Sequence, residues 1–319
     1  MPDTLSITPL DIYTELLFVI ARLLADQDSP QLAYRYAQEI GYLLTPQSSL
    51  YPGYTEVIAS SLLDLERFED AEKFYADLEQ VEEFRLAALL GQVQALSDQQ
   101  RYQDALEVLS KAEVLLGGAP GINRQRGVLY FRAQDYQKAV DAFGAWRDAM
   151  PQLGPNAAQP LFITGIAYYR LNDYERMEEA LLASLELQPD DPDVLNFLAY
   201  SWVERGLNLE RGFDMLNRAV EMRPDSGAII DSLGWAYYQL GDYEEALPHL
   251  ERAFQLNPWS WEIAEHVGDV YWQLGREREA VYFWERALDL PDIPEDHVTA
   301  IAVKLEDGLP DDDDAAVSN

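Results

Sequence analysis

Between Gly227 and Leu290 the apolar positions repeat at a spacing of 34 residues. The stretch GAIIDSLGWAYYQLGDYEEALPHLERAFQLNP lies over WEIAEHVGDVYWQLGREREAVYFWERALDL. Gly234 then falls on Gly268, Tyr237 on Tyr271, Leu240-Gly241 on Leu274-Gly275, Ala246 on Ala280 and Ala253 on Ala287. Within the first copy, Ile230, Leu233, Gly234 and Tyr237 share one face of a helix. Ala246, Leu250 and Ala253 share the inner face of a second helix. Gly241 with Asp242 separates the two, because glycine accepts the left-handed conformation that ends a helix, and Pro258 stops the second helix. Gly234 and Ala246 are small enough for the two backbones to approach closely, with Tyr237 and Leu250 filling the remaining space. One such hairpin cannot cover its own apolar face, so the pattern predicts stacked hairpins with a continuous core.

The small residue of each second helix can be followed through the chain as Ala33, Ala71, Ala105, Ala139, Met177, Gly212, Ala246 and Ala280, in steps of 38, 34, 34, 38, 35, 34 and 34 residues. This predicts eight hairpins. Residues 1–150 form an N-terminal set of hairpins and residues 161–293 a C-terminal set of more regular ones. Between them PQLGPNAAQP, residues 151–160, reads as a Pro/Gly-rich connection. An amphipathic helix over residues 294–309 would close the exposed end of the array. Residues 310–319, PDDDDAAVSN, read as a disordered acidic tail; the Asp311–Asp314 run lacks the spaced ligands and turn glycine of a calcium loop.

Charge narrows the choice of partner. The chain carries 57 acidic and 23 basic residues, a formal net charge of −34, and its lysines are Lys73, Lys111, Lys138 and Lys304. Such a surface repels nucleic acid and anionic membrane and favours basic partners. There is no cysteine, which excludes disulfides, thiolate metal sites and cysteine nucleophiles. The histidines His249, His266 and His297 form no zinc-binding pair, no glycine loop cradles a phosphate, and acidic pairs such as Glu244-Glu245 lie on outer helix faces. No metal, cofactor or catalytic residue is therefore expected. The opening MPDTLSITPLD lacks the basic region of an export signal, and the apolar run Leu16–Leu24 is too short to span a bilayer. The expectation is a cytoplasmic protein with no membrane insertion, or a periplasmic one if an export segment has been removed.

The recurring glycine, alanine and tyrosine positions resemble the tetratricopeptide repeat (TPR) family. That resemblance implies an all-α, right-handed superhelical solenoid whose first helices line a concave groove, and a scaffold or adaptor role in binding a peptide or partner domain. The aromatic and polar stripe set about 100° around from the core face would then face the groove. It comprises Phe162 and Tyr169; Asn196 and Tyr200; Asp231, Trp235 and Tyr238; and Glu265, Asp269 and Trp272. Arg124, Val128 and Phe131 are its equivalents further upstream. The expected ligand is a protein segment with apolar anchors and a Lys or Arg. A subclass of the family grips carboxylates with groove Lys, Arg and Asn; the acidic stripe disfavours it here. LNFLAYSWVERGLNLERGFDMLNRAVEMRPDSGAIIDSLGWAYYQLGDYEEALPHLERA is similar to the C-terminal half of large proteobacterial TPR proteins. One branch of those tethers and activates a periplasmic carboxyl-terminal processing protease, which gives an adaptor subunit of such a protease as an alternative. A self-associating structural protein is another.

Overall fold

The computed structural model describes residues 9–27, 29–44, 48, 50–150 and 152–309. Among these the chain is all-helical, with helices arranged as successive antiparallel hairpins. It divides into two compact units, residues 1–177 and 178–319. The first holds α1 (Pro9–Asp26), α2 (Pro30–Gly41), α3 (Tyr51–Asp64), α4 (Phe68–Leu78), α5 (Arg85–Asp98), α6 (Tyr102–Leu116), α7 (Pro120–Arg132), α8 (Tyr136–Asp148) and α9 (Ala158–Arg170). The division falls inside α10 (Tyr174–Leu187). The second unit continues with α11 (Pro192–Glu204), α12 (Leu209–Met222), α13 (Gly227–Gln239), α14 (Tyr243–Leu256), α15 (Trp261–Gln273), α16 (Glu277–Leu288) and α17 (Glu295–Asp307). A single 3-10 turn, Pro155–Ala157, leads into α9. The expected acidic tail, residues 310–319, lies outside the described residues, as does Pro151.

Every small position followed in the sequence is buried, from Ala33 to Ala280, with Met177 and Gly212 included. The physical reason is visible at the helix crossings. A Cβ on Gly234 would stand 2.6 Å from Leu250, one on Gly268 2.5 Å from Trp284, and one on Gly127 2.8 Å from Phe143. In each of these three hairpins the glycine of the first helix receives the large side chain found sixteen residues later in the second. The cores follow from this packing. In the second unit Ile230, Leu250, Val267, Tyr271, Trp284 and Ile301 belong to one buried cluster. In the first unit Ile40, Leu62, Tyr75 and Leu78 form one cluster, and Leu89, Leu96, Leu109 and Ile122 another.

From the α3–α4 hairpin onward, each turn between paired helices carries a residue with positive φ. These are Glu66, Gln100, Gln134 and Asn172 early in the chain, then Gly206, Gly241 and Gly275. The longer turn of the sixth hairpin holds a second such residue, Asn208, with φ of 45°. Polar caps start several helices: the carboxylate of Asp135 accepts from the backbone N–H of Lys138, Asp191 from those of Asp193 and Val194, and the Ser260 hydroxyl from that of Ile263. Such caps satisfy donors that a helix start otherwise leaves unpaired.

Candidate functional site

The first helices of the second unit, α11, α13 and α15, pack in order, α11 against α13 and α13 against α15. Their stripe residues differ sharply in exposure. Asn196, Tyr200, Trp235, Tyr238 and Trp272 are half-buried. Asp231, Glu265 and Asp269 are buried, at 6%, 7% and 4% exposure. In the first unit Phe162 and Tyr169 on α9 are half-buried, and Tyr169 meets Tyr174 edge-on at 5.9 Å.

The buried carboxylates are engaged within the chain. Lys304 of α17 reaches back to α15, with its ammonium 2.7 Å from Glu265 Oε1 and 2.8 Å from both oxygens of Asp269. The indole N–H of Trp284 also donates to Asp269, at 2.8 Å, and His297 Nδ1 stands 3.3 Å from Glu265. The stripe positions of Glu265 and Asp269 predict carboxylates turned outward toward a partner's cation. The closing helix covers these two instead, because Ile301, Leu305 and Leu309 pack into the core of the last hairpin and carry Lys304 over α15. Gly308 sits so close to the Trp272 ring that no side chain could replace it there. Trp272 is therefore held between the C-terminal segment and Trp284, whose ring lies 5.4 Å away.

Asp231 is paired too. Both its oxygens lie 3.0 Å from His266 Nδ1. The imidazole stacks on Trp235 at 4.0 Å, and Trp235 stacks in turn on Tyr238 at 4.5 Å. Burial works against a charged His266, but the charge and hydrogen bond of Asp231, with Glu262 and Asp269 nearby, outweigh it and hold its pKa up to about 9. Burial also disfavours the Lys304 ammonium; Asp269 and Glu265 again outweigh it, and its pKa is raised. Burial pushes the Asp269 carboxyl up, against the pull of Lys304. The site therefore consists of two internally engaged clusters, the Asp231–His266 pair beside the stacked rings of Trp235 and Tyr238, and Lys304 bridging Glu265 and Asp269 beneath α17.

Lys304 and Trp284 are the residues that sequence reasoning missed. Trp284 occupies the Leu250 position of the repeat and reads as core. Lys304 lies outside the repeat register; only its rarity in so acidic a chain marked it. Among the described residues no group of His, Asp and Glu is placed to hold a metal ion, and no helix is long and apolar enough to cross a membrane.

Comparison with known proteins agrees with this architecture. Tetratricopeptide repeat models match residues 57–121, 158–191 and 232–260. The TPR repeat-containing protein PA4667 of Pseudomonas aeruginosa is 28% identical over 96 residues, 30% of this chain and 16% of that protein. The TPR repeat-containing protein YpiA of Bacillus subtilis is 25% identical over 228 residues, 64% of this chain and 48% of that one. The chain thus spans less than half the length of these curated relatives. A tetratricopeptide repeat protein from Parabacteroides merdae superposes with a TM-score of 0.61 at 16% identity, over 80% of this chain and 97% of that one. At that identity the likeness speaks for the fold alone.

Proposed function

Because the chain is a tetratricopeptide-repeat protein, the fold of a protein-interaction scaffold, we propose that it acts as a non-catalytic adaptor receiving a peptide or partner-domain segment along its first helices. The observation that carries this reading is the aromatic surface of α13, where Trp235 and Tyr238 are stacked, half-buried and underpinned by the fixed Asp231–His266 pair. Trp and Tyr bury large areas at little rotamer cost and dominate binding energy at interfaces. A support already neutralised from within makes these rings suitable anchors for apolar side chains. With Glu265 and Asp269 satisfied by Lys304, a basic residue on the partner would be drawn by the acidic surface as a whole and not by those carboxylates.

The test begins with the full chain as bait and identification of the segment bound. Trp235→Ala should then weaken binding of that segment by about 2 kcal/mol or more. Circular dichroism and the melting temperature must be preserved, since a mispacked helix would also lose binding. Normal affinity in a folded Trp235→Ala protein would remove α13 from the interface.

A further inference from the structure

The first helix, α1, is apolar on two sides. Its inner side, with Leu17 and Ala21, is buried. Its outer side carries Leu16, Val19 and Leu23, each more than half exposed. These three fall within about 60° of one another around the helix, and the half-buried Ile20 borders them. No other helix among the described residues exposes as many large apolar side chains. The repeat accounts for their character. Ala21 stands twelve residues before Ala33, as Gly234 does before Ala246 and Gly268 before Ala280. Leu16, Val19 and Leu23 therefore match Ile229, Ser232 and Ala236 on α13, and Ile263, His266 and Val270 on α15. All six of those are buried, in helices that pack on the preceding hairpin, α13 on α12 and α15 on α14. The outer side of α1 is thus built like the covered side of an inner hairpin, and apolar exposure of this kind marks an interaction surface.

We propose that this face is the interface of a homodimer, in which α1 of one copy packs antiparallel on α1 of a second. Two features of the helix select a copy of the same chain. Leu16, Val19 and Leu23 follow one another at intervals of three and four residues, the spacing of a two-helix seam. In an antiparallel pair with its two-fold axis beside Val19, the three side chains of one copy alternate with those of the other. Glu15 and Arg22 are both exposed along one edge of that seam. They lie four and three residues from Val19, on opposite sides of it, so the same axis sets Glu15 of each copy opposite Arg22 of the other. One register therefore satisfies the apolar and the charged positions together, as a closed, self-complementary contact requires. The helix that closes the last hairpin does not match α1: α17 presents Glu295, Asp296, Glu306 and Asp307 at its surface. Like faces meet, and copies do not add head to tail. Two chains of formal charge −34 also repel each other. A single helix pair covers less than the roughly 800 Å² per partner of a stable complex, so the dimer is weak and forms at about 10–100 µM protein. This interface goes beyond the scaffold reading and uses none of the residues invoked for it on α13.

The experiment is sedimentation equilibrium of the full chain over about 1–300 µM in about 0.15 M sodium chloride, where a screening length of about 8 Å softens the repulsion between copies and spares contacts at hydrogen-bond distance. The wild type should pass from monomer to dimer and no further. Val19→Glu, which places a carboxylate at the axis, should remain monomeric. Glu15→Arg and Arg22→Glu should each raise the dissociation constant about tenfold, since each sets like charges face to face. The double variant Glu15→Arg/Arg22→Glu should recover the wild-type value. An equimolar mixture of the two single variants should form a mixed dimer, more tightly than either associates alone. All three side chains point away from the core, so the helical signal of every variant should match the wild type. A wild type that is monomeric throughout, a dimer indifferent to Val19→Glu, or one whose affinity the double exchange does not recover overturns the proposal. Assemblies that grow beyond two copies overturn it as well. Each of these outcomes leaves the reading of α13 standing.

Discussion

At single positions the fold is governed by where a Cβ can and cannot go. A methyl added to Gly268 would stand 2.5 Å from Trp284, so Gly268→Ala should force the ring or the backbone to move. The cost should be about 1–3 kcal/mol, as for other overpacked cores, read as a lower denaturation midpoint. The opposite holds at the turns. Gln134 has a φ of 59° and is exposed, a conformation costing a residue with a side chain roughly 1–2 kcal/mol. Gln134→Gly relieves that strain, at the expense of extra unfolded-chain entropy. A net gain of up to about 1 kcal/mol is expected, and a lower melting temperature would contradict it. His266 sets a pH dependence. Its folded pKa of about 9 lies above the ordinary value of 6.5, so the stability it contributes is fully present below pH 6.5 and is lost as pH rises through 9. Thermal unfolding between those limits should therefore slope downward in the wild type and run flatter in His266→Gln.

At the level of helices, α17 is the element with the most to lose. Its only fully buried residue is Ile301, and its hold on α15 depends on Lys304, whose side chain is 17% exposed. Lys304→Met keeps the aliphatic stem but leaves Glu265 and Asp269 buried without their cation. Breaking one side of a buried ion pair is strongly destabilising; with partial solvent access here the expected loss is about 2–4 kcal/mol. In a stacked array this loss is local, since each hairpin contacts only its neighbours. Amide exchange should therefore accelerate over residues 298–307 and leave α11 and α12 unaffected. Exchange unchanged in α17 would show that Ile301, Leu305 and Leu309 suffice to hold it. The same helix marks the boundary of what the sequence made legible. The hairpins could be read because Gly234 and Leu250 impose a spacing that recurs at Gly268 and Trp284. The turn positions could be read because a chain reversal favours glycine, as at Gly241 and Gly275. The environment of Asp269 could not be read, because its partner lies 35 residues away in a helix outside the repeat. A stripe position alone does not say whether the next helix leaves it open, as at the exposed Arg124, or covers it, as over Glu265.

For the whole molecule the dominant long-range force is self-repulsion. The formal net charge is −34, and many of the ion pairs are exposed at the surface, such as Arg67–Asp70 and Lys138–Asp135. Pairs of that kind contribute little individually, and they leave the excess of carboxylates uncompensated. Two effects of salt then compete. Screening weakens the exposed pairs, which would lower stability, and it relieves repulsion among the unpaired carboxylates, which would raise it. With 57 acidic against 23 basic residues the second has more groups to act on. The buried Lys304 and His266 clusters are screened least, so they do not tip the balance. Raising sodium chloride from about 20 to about 300 mM, which shortens the screening length from roughly 20 Å to below 10 Å, should therefore raise the melting temperature by several degrees. Chloride is the anion to use, because sulfate would stabilise the fold through preferential exclusion and confuse the reading. A melting temperature that falls with chloride would mean that the ion pairs, and not the surplus of like charge, set the stability of this chain.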